Sequence, residues 1–155
     1  MRRDLLIPFA PIPVGAKPVA VAFNPAGTRA YVANLGSSTV SVIDTSSNTV
    51  AATISFSGSF GPDEVRGVAV NPAGTRAYVT NSNYNTVSVI DTSSNTVVAV
   101  IGVGTRPWAV TFNPAGTRAY VTNFDDNTVS VIDTSSNTVT ATISGFNGPK
   151  AIAFK

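Results

Sequence analysis

An all-β fold of repeated four-stranded antiparallel sheets is predicted by three observations. Two blocks of sequence recur three times at a fixed offset, the segments between turn signals are short and rich in β-branched and aromatic residues, and no helical period of apolar residues appears. Asn24-Pro-Ala-Gly-Thr-Arg-Ala-Tyr-Val32 returns unchanged at 71–79 and 113–121, and Thr39-Val-Ser-Val-Ile-Asp-Thr-Ser-Ser-Asn-Thr-Val50 returns at 86–97 and 128–139. The units repeat at intervals of 47 and 42 residues while their blocks always start 15 residues apart, so the difference is an insertion between units.

Each unit reads as four strands. Val19 to Phe23 is small and apolar, which suits a strand covered on both faces. Asn24 to Thr28 is a turn, in which Pro25 presets φ and Gly27 takes the left-handed position of a bulged hairpin. Ala30 to Asn34 and Thr39 to Asp44 carry β-branched and aromatic residues and are joined by a short loop. Asp44 to Asn48 is a second turn, because Asp and Ser bond their own backbone and Asn tolerates positive φ; Thr49 to Ser55 is the fourth strand. A hairpin around residues 35–38 sets Tyr31 opposite Val42 and Arg29 opposite Asp44, and the same rule pairs Arg76 with Asp91 and Arg118 with Asp133. Three such pairs could be a repeated catalytic device. Their triplication favours a framework role as cross-strand ion pairs or turn caps, each contributing about 0.2 to 1 kcal/mol.

Four antiparallel strands in about 42 residues is the organisation of a β-propeller blade. On this reading residues 14–55, 56–101 and 102–144 are three blades, 5–13 is a partial blade in the fourth-strand position, and 145–155 is another in the first-strand position. Tyr78-Val79-Thr80-Asn81 and Tyr120-Val121-Thr122-Asn123, with the degenerate Tyr31-Val32-Ala33-Asn34, resemble the signature of the YVTN-family β-propeller repeat. The flanking Asn-Pro-x-Gly-Thr-Arg and Val-Ser-Val-Ile-Asp-Thr-x-x-Asn-Thr-Val blocks are similar to the same family, which covers nearly all of Val14 to Phe154. The resemblance implies a propeller of surface-layer or WD40-like kind, commonly with about seven blades, in an extracytoplasmic or cell-surface setting. It implies no single activity.

Composition narrows the function. The chain of 155 residues is 43% hydrophobic and 12% charged, with net charge +2 and neither His nor Cys. Disulfides, thiol catalysis, cysteine zinc cages and His-based acid/base chemistry are therefore unavailable to a single chain. No cofactor is called for. The absence of Cys leaves the compartment open, and Met1-Arg2-Arg3 followed by Leu5-Leu6-Ile7 is cut by Pro8, Pro11 and Pro13 well short of a signal-sequence core. No run approaches the roughly 18 apolar residues that span a bilayer.

Propeller topology directs attention to one face. The first-to-second and third-to-fourth turns are identical in all three copies, and the variation falls on the other connections, Leu35 to Ser38, Ser82 to Asn85, Phe124 to Asn127 and the loops between units. Aligning first strands backwards from Phe23, Val70, Phe112 and Phe154 places Val19, Arg66, Trp108 and Lys150 at one equivalent position near the channel mouth. Cations beside a Trp offer charge, donors and a stacking face to an anionic or sugar-like group; alternatively Trp108 packs between blades. Lys17, Arg106, Tyr84 and Phe124 share the variable face and complete the ligand-binding candidates with Asp125 and Asp126. Asp125-Asp126-Asn127 lacks the ligand count of a calcium loop, and Asp63-Glu64 has no catalytic partner nearby, so neither a metal site nor a catalytic residue is assigned.

The expected function is a non-catalytic scaffold for binding or surface-layer interaction, with a protein or glycan ligand on the variable face. The alternatives are a propeller enzyme of lactonase or oxidoreductase type, which the lack of His opposes, and a nucleic-acid-binding propeller, which the acidic residues on the same face oppose. Three and a half blades do not close a ring, and open apolar faces exceed what monomers expose. Self-association, or membership of a longer propeller, is therefore expected.

Overall fold

A computed structural model describes residues 10–56 and 65–154, and among these every regular element is a β-strand. The first sheet contains β1 (Pro18–Phe23), β2 (Arg29–Asn34), β3 (Thr39–Asp44) and β4 (Thr49–Ser55); the second β5 (Val65–Val70), β6 (Arg76–Asn81), β7 (Thr86–Asp91) and β8 (Thr96–Gly102). The third contains β9 (Pro107–Phe112), β10 (Arg118–Asn123), β11 (Thr128–Asp133) and β12 (Thr138–Ser144). Each is an antiparallel meander in sequence order. The first strands β1, β5 and β9 are neighbours, so the sheets stand radially and meet face to face. No helix among the described residues is long and apolar enough to cross a membrane.

Alternation along the strands builds the core. Tyr31, Ala33, Val40, Val42 and Ile54 face one way from the first sheet and pack against Val65, Val68, Ala77, Val79 and Ile90 of the second. The second sheet turns Tyr78, Val87, Val89 and Ile101 onto Val110, Phe112, Ala119, Val121 and Ile132 of the third. Tyr78 and Phe112 meet edge to face at 4.7 Å, a geometry that adds about 0.5 to 1.5 kcal/mol to area burial. The Tyr78 hydroxyl donates to Asn137 Oδ1 at 2.7 Å, tying the second sheet to the far turn of the third; burial pushes its pKa up.

The turns follow their chemistry. Gly27, Gly74 and Gly116 have φ of 70°, 73° and 72°, and Asn48, Asn95 and Asn137 lie between 52° and 55°. Successive turns nest, with Pro25 against Gly74 and Pro72 against Gly116. Arg29, Arg76 and Arg118 stand opposite Asp44, Asp91 and Asp133 in the ladders. The second and third pairs close as ion pairs of 2.8 and 2.6 Å. These aspartates also cap their turns: Asp133 Oδ1 accepts the Ser135 hydroxyl at 2.5 Å and its N–H at 2.9 Å, and Asp44 and Asp91 do the same with Ser46 and Ser93.

The terminal segments form no ladder where they are described. Residues 150–154 are irregular, with Phe154 against Tyr120 of the third sheet. The expected fourth strand at Leu5 to Ile12 lies largely outside the described residues; Ile12 and Val14, in irregular chain, pack on the outer face of the first sheet.

The turn caps couple stability to acid. The Ser135 hydroxyl, assisted by backbone N–H groups, holds the Asp133 carboxyl at about 2, and serine donors lower Asp44 and Asp91 in the same way. Carboxyls held below the unfolded value of about 3.9 contribute stability that is present above that value and is lost as pH falls through the folded pKa. The thermal midpoint is expected to hold level from neutral pH to about 5 and to fall between about pH 4 and 2. In Asp133→Ala it starts lower at neutral pH and falls less on acidification, which a calorimetric pH series measures.

Candidate functional site

The first strands are not regular. Opposite Asn81 and Val79 stand Val65 and Val68, so Arg66 and Gly67 together face the single residue Thr80. Opposite Asn123 and Val121 stand Pro107 and Val110, so Trp108 and Ala109 face Thr122. Such a bulge turns a side chain out of the strand's alternation, and Arg66 and Trp108 are the first residues of the two bulges.

Threonine plugs each bulge. Thr80 Oγ1 accepts the Gly67 N–H at 2.8 Å and donates to the Trp108 carbonyl at 3.1 Å, joining two successive first strands. Thr122 Oγ1 accepts the Ala109 N–H at 3.0 Å. Gly67 is required by close approach, because a Cβ there would lie 2.6 Å from the Trp108 carbonyl oxygen. The asparagine that follows is equally structural: Asn81 Nδ2 donates to Thr86 and Ser88 at 3.0 and 2.8 Å, and Asn34 and Asn123 repeat the pattern. In the first copy Ala33 replaces the threonine and Val19 sits at the irregularity.

Residues far apart in the chain converge on the rings of Trp108 and Phe124, whose centroids are 5.1 Å apart. The Arg66 guanidinium lies 4.0 Å over Trp108, with Lys150 Nζ at 5.1 Å and Arg106 at 5.8 Å. Lys150 and Arg106 also approach Phe124, at 5.1 and 5.4 Å. Each contact at an accessible ring contributes about 0.5 to 1 kcal/mol. Arg106 pairs with Asp125 at 3.6 Å, both side chains being more than two-fifths exposed, so this link holds orientation more than stability.

The loops are tied from both sides. Asn85 Oδ1 accepts the Arg106 N–H at 2.9 Å, and Ser82 Oγ donates to the Pro107 carbonyl at 2.6 Å. Asn127 Oδ1 holds Gly148 N–H at 2.8 Å in the same manner. Arg106 and its counterpart Lys17 have φ of 54° and 50°, and Gly148, at the equivalent position after the third sheet, has φ of 54°. A side chain in that region costs about 1 to 2 kcal/mol, so the chain places cations at two positions that suit glycine.

Of the sequence candidates, Arg66, Arg106, Trp108, Phe124, Asp125 and Lys150 are brought together. Asp126 turns away, accepting the Thr105 N–H at 2.6 Å, a bond that lowers its pKa. With Asp125 on Arg106 and Asn127 on Gly148, the acidic loop spends its oxygens on protein donors, and no cluster of three metal-ligating side chains occurs among the described residues. Lys17 is exposed at the entry to the first sheet, and Tyr84 is half-buried with its hydroxyl turned inward. Asp63 and Glu64 lie outside the described residues. Sequence reasoning missed Thr80 and Thr122, whose only signal was a polar residue in an otherwise apolar strand, and it gave Ser82 and Asn85 only as the ends of a variable loop.

No protein-family model matches the chain, and no curated protein does. Among solved structures, hydrazine synthase of Kuenenia stuttgartiensis superposes with a TM-score of 0.80 at 23% identity, over 94% of this chain and 41% of that one. U3-55K superposes with a TM-score of 0.75 at 14% identity, over 86% of this chain and 41% of its own. The chain thus spans less than half the length of either. Both neighbours have β-propeller-type folds, and the likeness establishes that fold type for the three sheets, which can be called blades.

Because Trp108 is the only tryptophan, its fluorescence reports on the site. Thr80→Val leaves the Gly67 N–H and the Trp108 carbonyl without their partner, at an expected cost of about 1 to 3 kcal/mol in urea unfolding. A shift of the native emission maximum is expected with it, and Thr80→Ser restores both.

Proposed function

We propose that this chain is a YVTN-type propeller segment acting as a non-catalytic binding scaffold at a cell surface or surface layer, with recognition on the variable-loop face. The convergence of Arg66, Arg106 and Lys150 on Trp108 and Phe124 carries this reading. An acidic sugar suits the arrangement: its carboxylate meets Arg106 and Lys150, and its apolar C–H groups lie against the half-exposed Trp108 and Phe124 side chains. The backbone held at positive φ at Arg106 supports the same reading, since strain kept under a functional side chain is a recurring feature of binding sites. A sequence without His or Cys lacks the commonest general base and the thiol nucleophile, which favours the binding reading over an enzymatic one.

Titration with a uronic-acid oligosaccharide is expected to change Trp108 fluorescence saturably and to weaken as salt rises. Arg106→Gln with Lys150→Gln is expected to reduce affinity at least tenfold, about 1.4 kcal/mol, while the native circular dichroism is kept and the thermal midpoint falls by several degrees from the lost ring contacts. Equal affinity for the neutral parent sugar, or for the double variant, would sink the proposal.

A further inference from the structure

The same repeat residues are buried inside the chain and exposed at its two outer blade faces. Val68 and Val110 are 8% exposed, whereas Val21, their counterpart in β1, is 59% exposed; Phe112 is 9% exposed and Phe23 is 59%. At the opposite end Ile54 and Ile101 are 6% and 4% exposed, and the equivalent Ile143 is 44%. Both outer faces are therefore built for a neighbouring layer.

Each face is half covered, and by a different strip. On the first blade Ile12 and Val14 pack over Ala30, Val32, Ile43 and Val50, covering the middle and outer strands and leaving Val21 and Phe23 of the inner strand open. On the third blade the C-terminal segment lies along the inner position. Phe154 meets Tyr120 edge to face at 5.0 Å, as Phe112 meets Tyr78, while Ile143 on the outer strand stays open. Phe146 and Phe154 themselves remain 43% exposed. What one end lacks, the other end carries.

We propose that two copies of this chain associate head to tail, the C-terminal segment of one covering the open inner row of the other's first blade, and the N-terminal segment of the second covering the open outer strand of the first's third blade. The contact is heterologous, so it must close into a ring or polymerise. Two copies, each with three sheets and sharing two such composite layers, stay within the about four to eight blades of propeller rings. The closed dimer is the assembly proposed. This assembly is independent of the ligand proposed for the loop face.

Light scattering coupled to size exclusion on the 155-residue chain at about 50 μM, a concentration at which micromolar association is visible, is expected to give twice the 15.9 kDa chain mass. Val21→Glu and Ile143→Glu, both at solvent-exposed positions and so expected to keep the monomer's circular dichroism and thermal midpoint, should each abolish the dimer. Mixing the two variants should restore a dimer held by one sound contact, the tail of Val21→Glu on the head of Ile143→Glu, while the second contact carries both glutamates and stays open. A folded wild-type monomer, with other blades or another protein left as the occupant, overturns the proposal. So do an open polymer, a dimer insensitive to both substitutions, and variants that fail to complement.

Discussion

A four-stranded sheet with one apolar row on each face cannot bury those rows by itself, and the whole molecule is organised by the need to stand one sheet against the next. Tyr31 and Tyr78 anchor the two internal contacts, and between them the β-branched residues of the repeat fill both sides. Because each contact uses the same residues, the chain is stabilised layer by layer, in the manner of a repeat protein. The same requirement brings β1, β5 and β9 side by side, and with them the loops that enter those strands.

The loop face depends on this radial order through a second device. The bulged first strand presents Arg66 or Trp108, and the threonine of the neighbouring strand fills the gap that the bulge leaves. Thr80 does more, since it also reaches the Trp108 carbonyl and so fixes the spacing between two blades at the place where the cations gather. Framework and recognition are thus linked by one hydroxyl. On the opposite face the repeated Asp, Ser and Thr spend their polar groups on closing turns, as when Thr92 and Thr134 donate to the Gly74 and Gly116 carbonyls at 2.7 and 2.6 Å.

Much of the architecture was legible because it rests on short-range chemistry repeated three times. Strand limits, the glycine and asparagine turns and the Arg–Asp register follow from turn residues and from period-two alternation, which act over a few positions. The bulges were not legible, since the pairing of two residues against Thr80 is decided by how the next first strand approaches. Equivalence by alignment placed Arg66, Trp108 and Lys150 together, but it said nothing of Phe124 and Arg106 closing on the indole, of Asp125 pairing with Arg106, or of Asp126 turning away to a backbone N–H.

From residues alone came the all-β class, the repeat, the four strands of each unit and the face on which the copies differ, because these depend on local preference and on periodicity. Tertiary structure decided which residues of that face meet, which threonine holds them, and which apolar rows are covered and which left open. Those outcomes depend on contacts between units that no single unit specifies. Val21, Val68 and Val110 are the same residue in the same motif, and only their neighbours in space make one exposed and two buried.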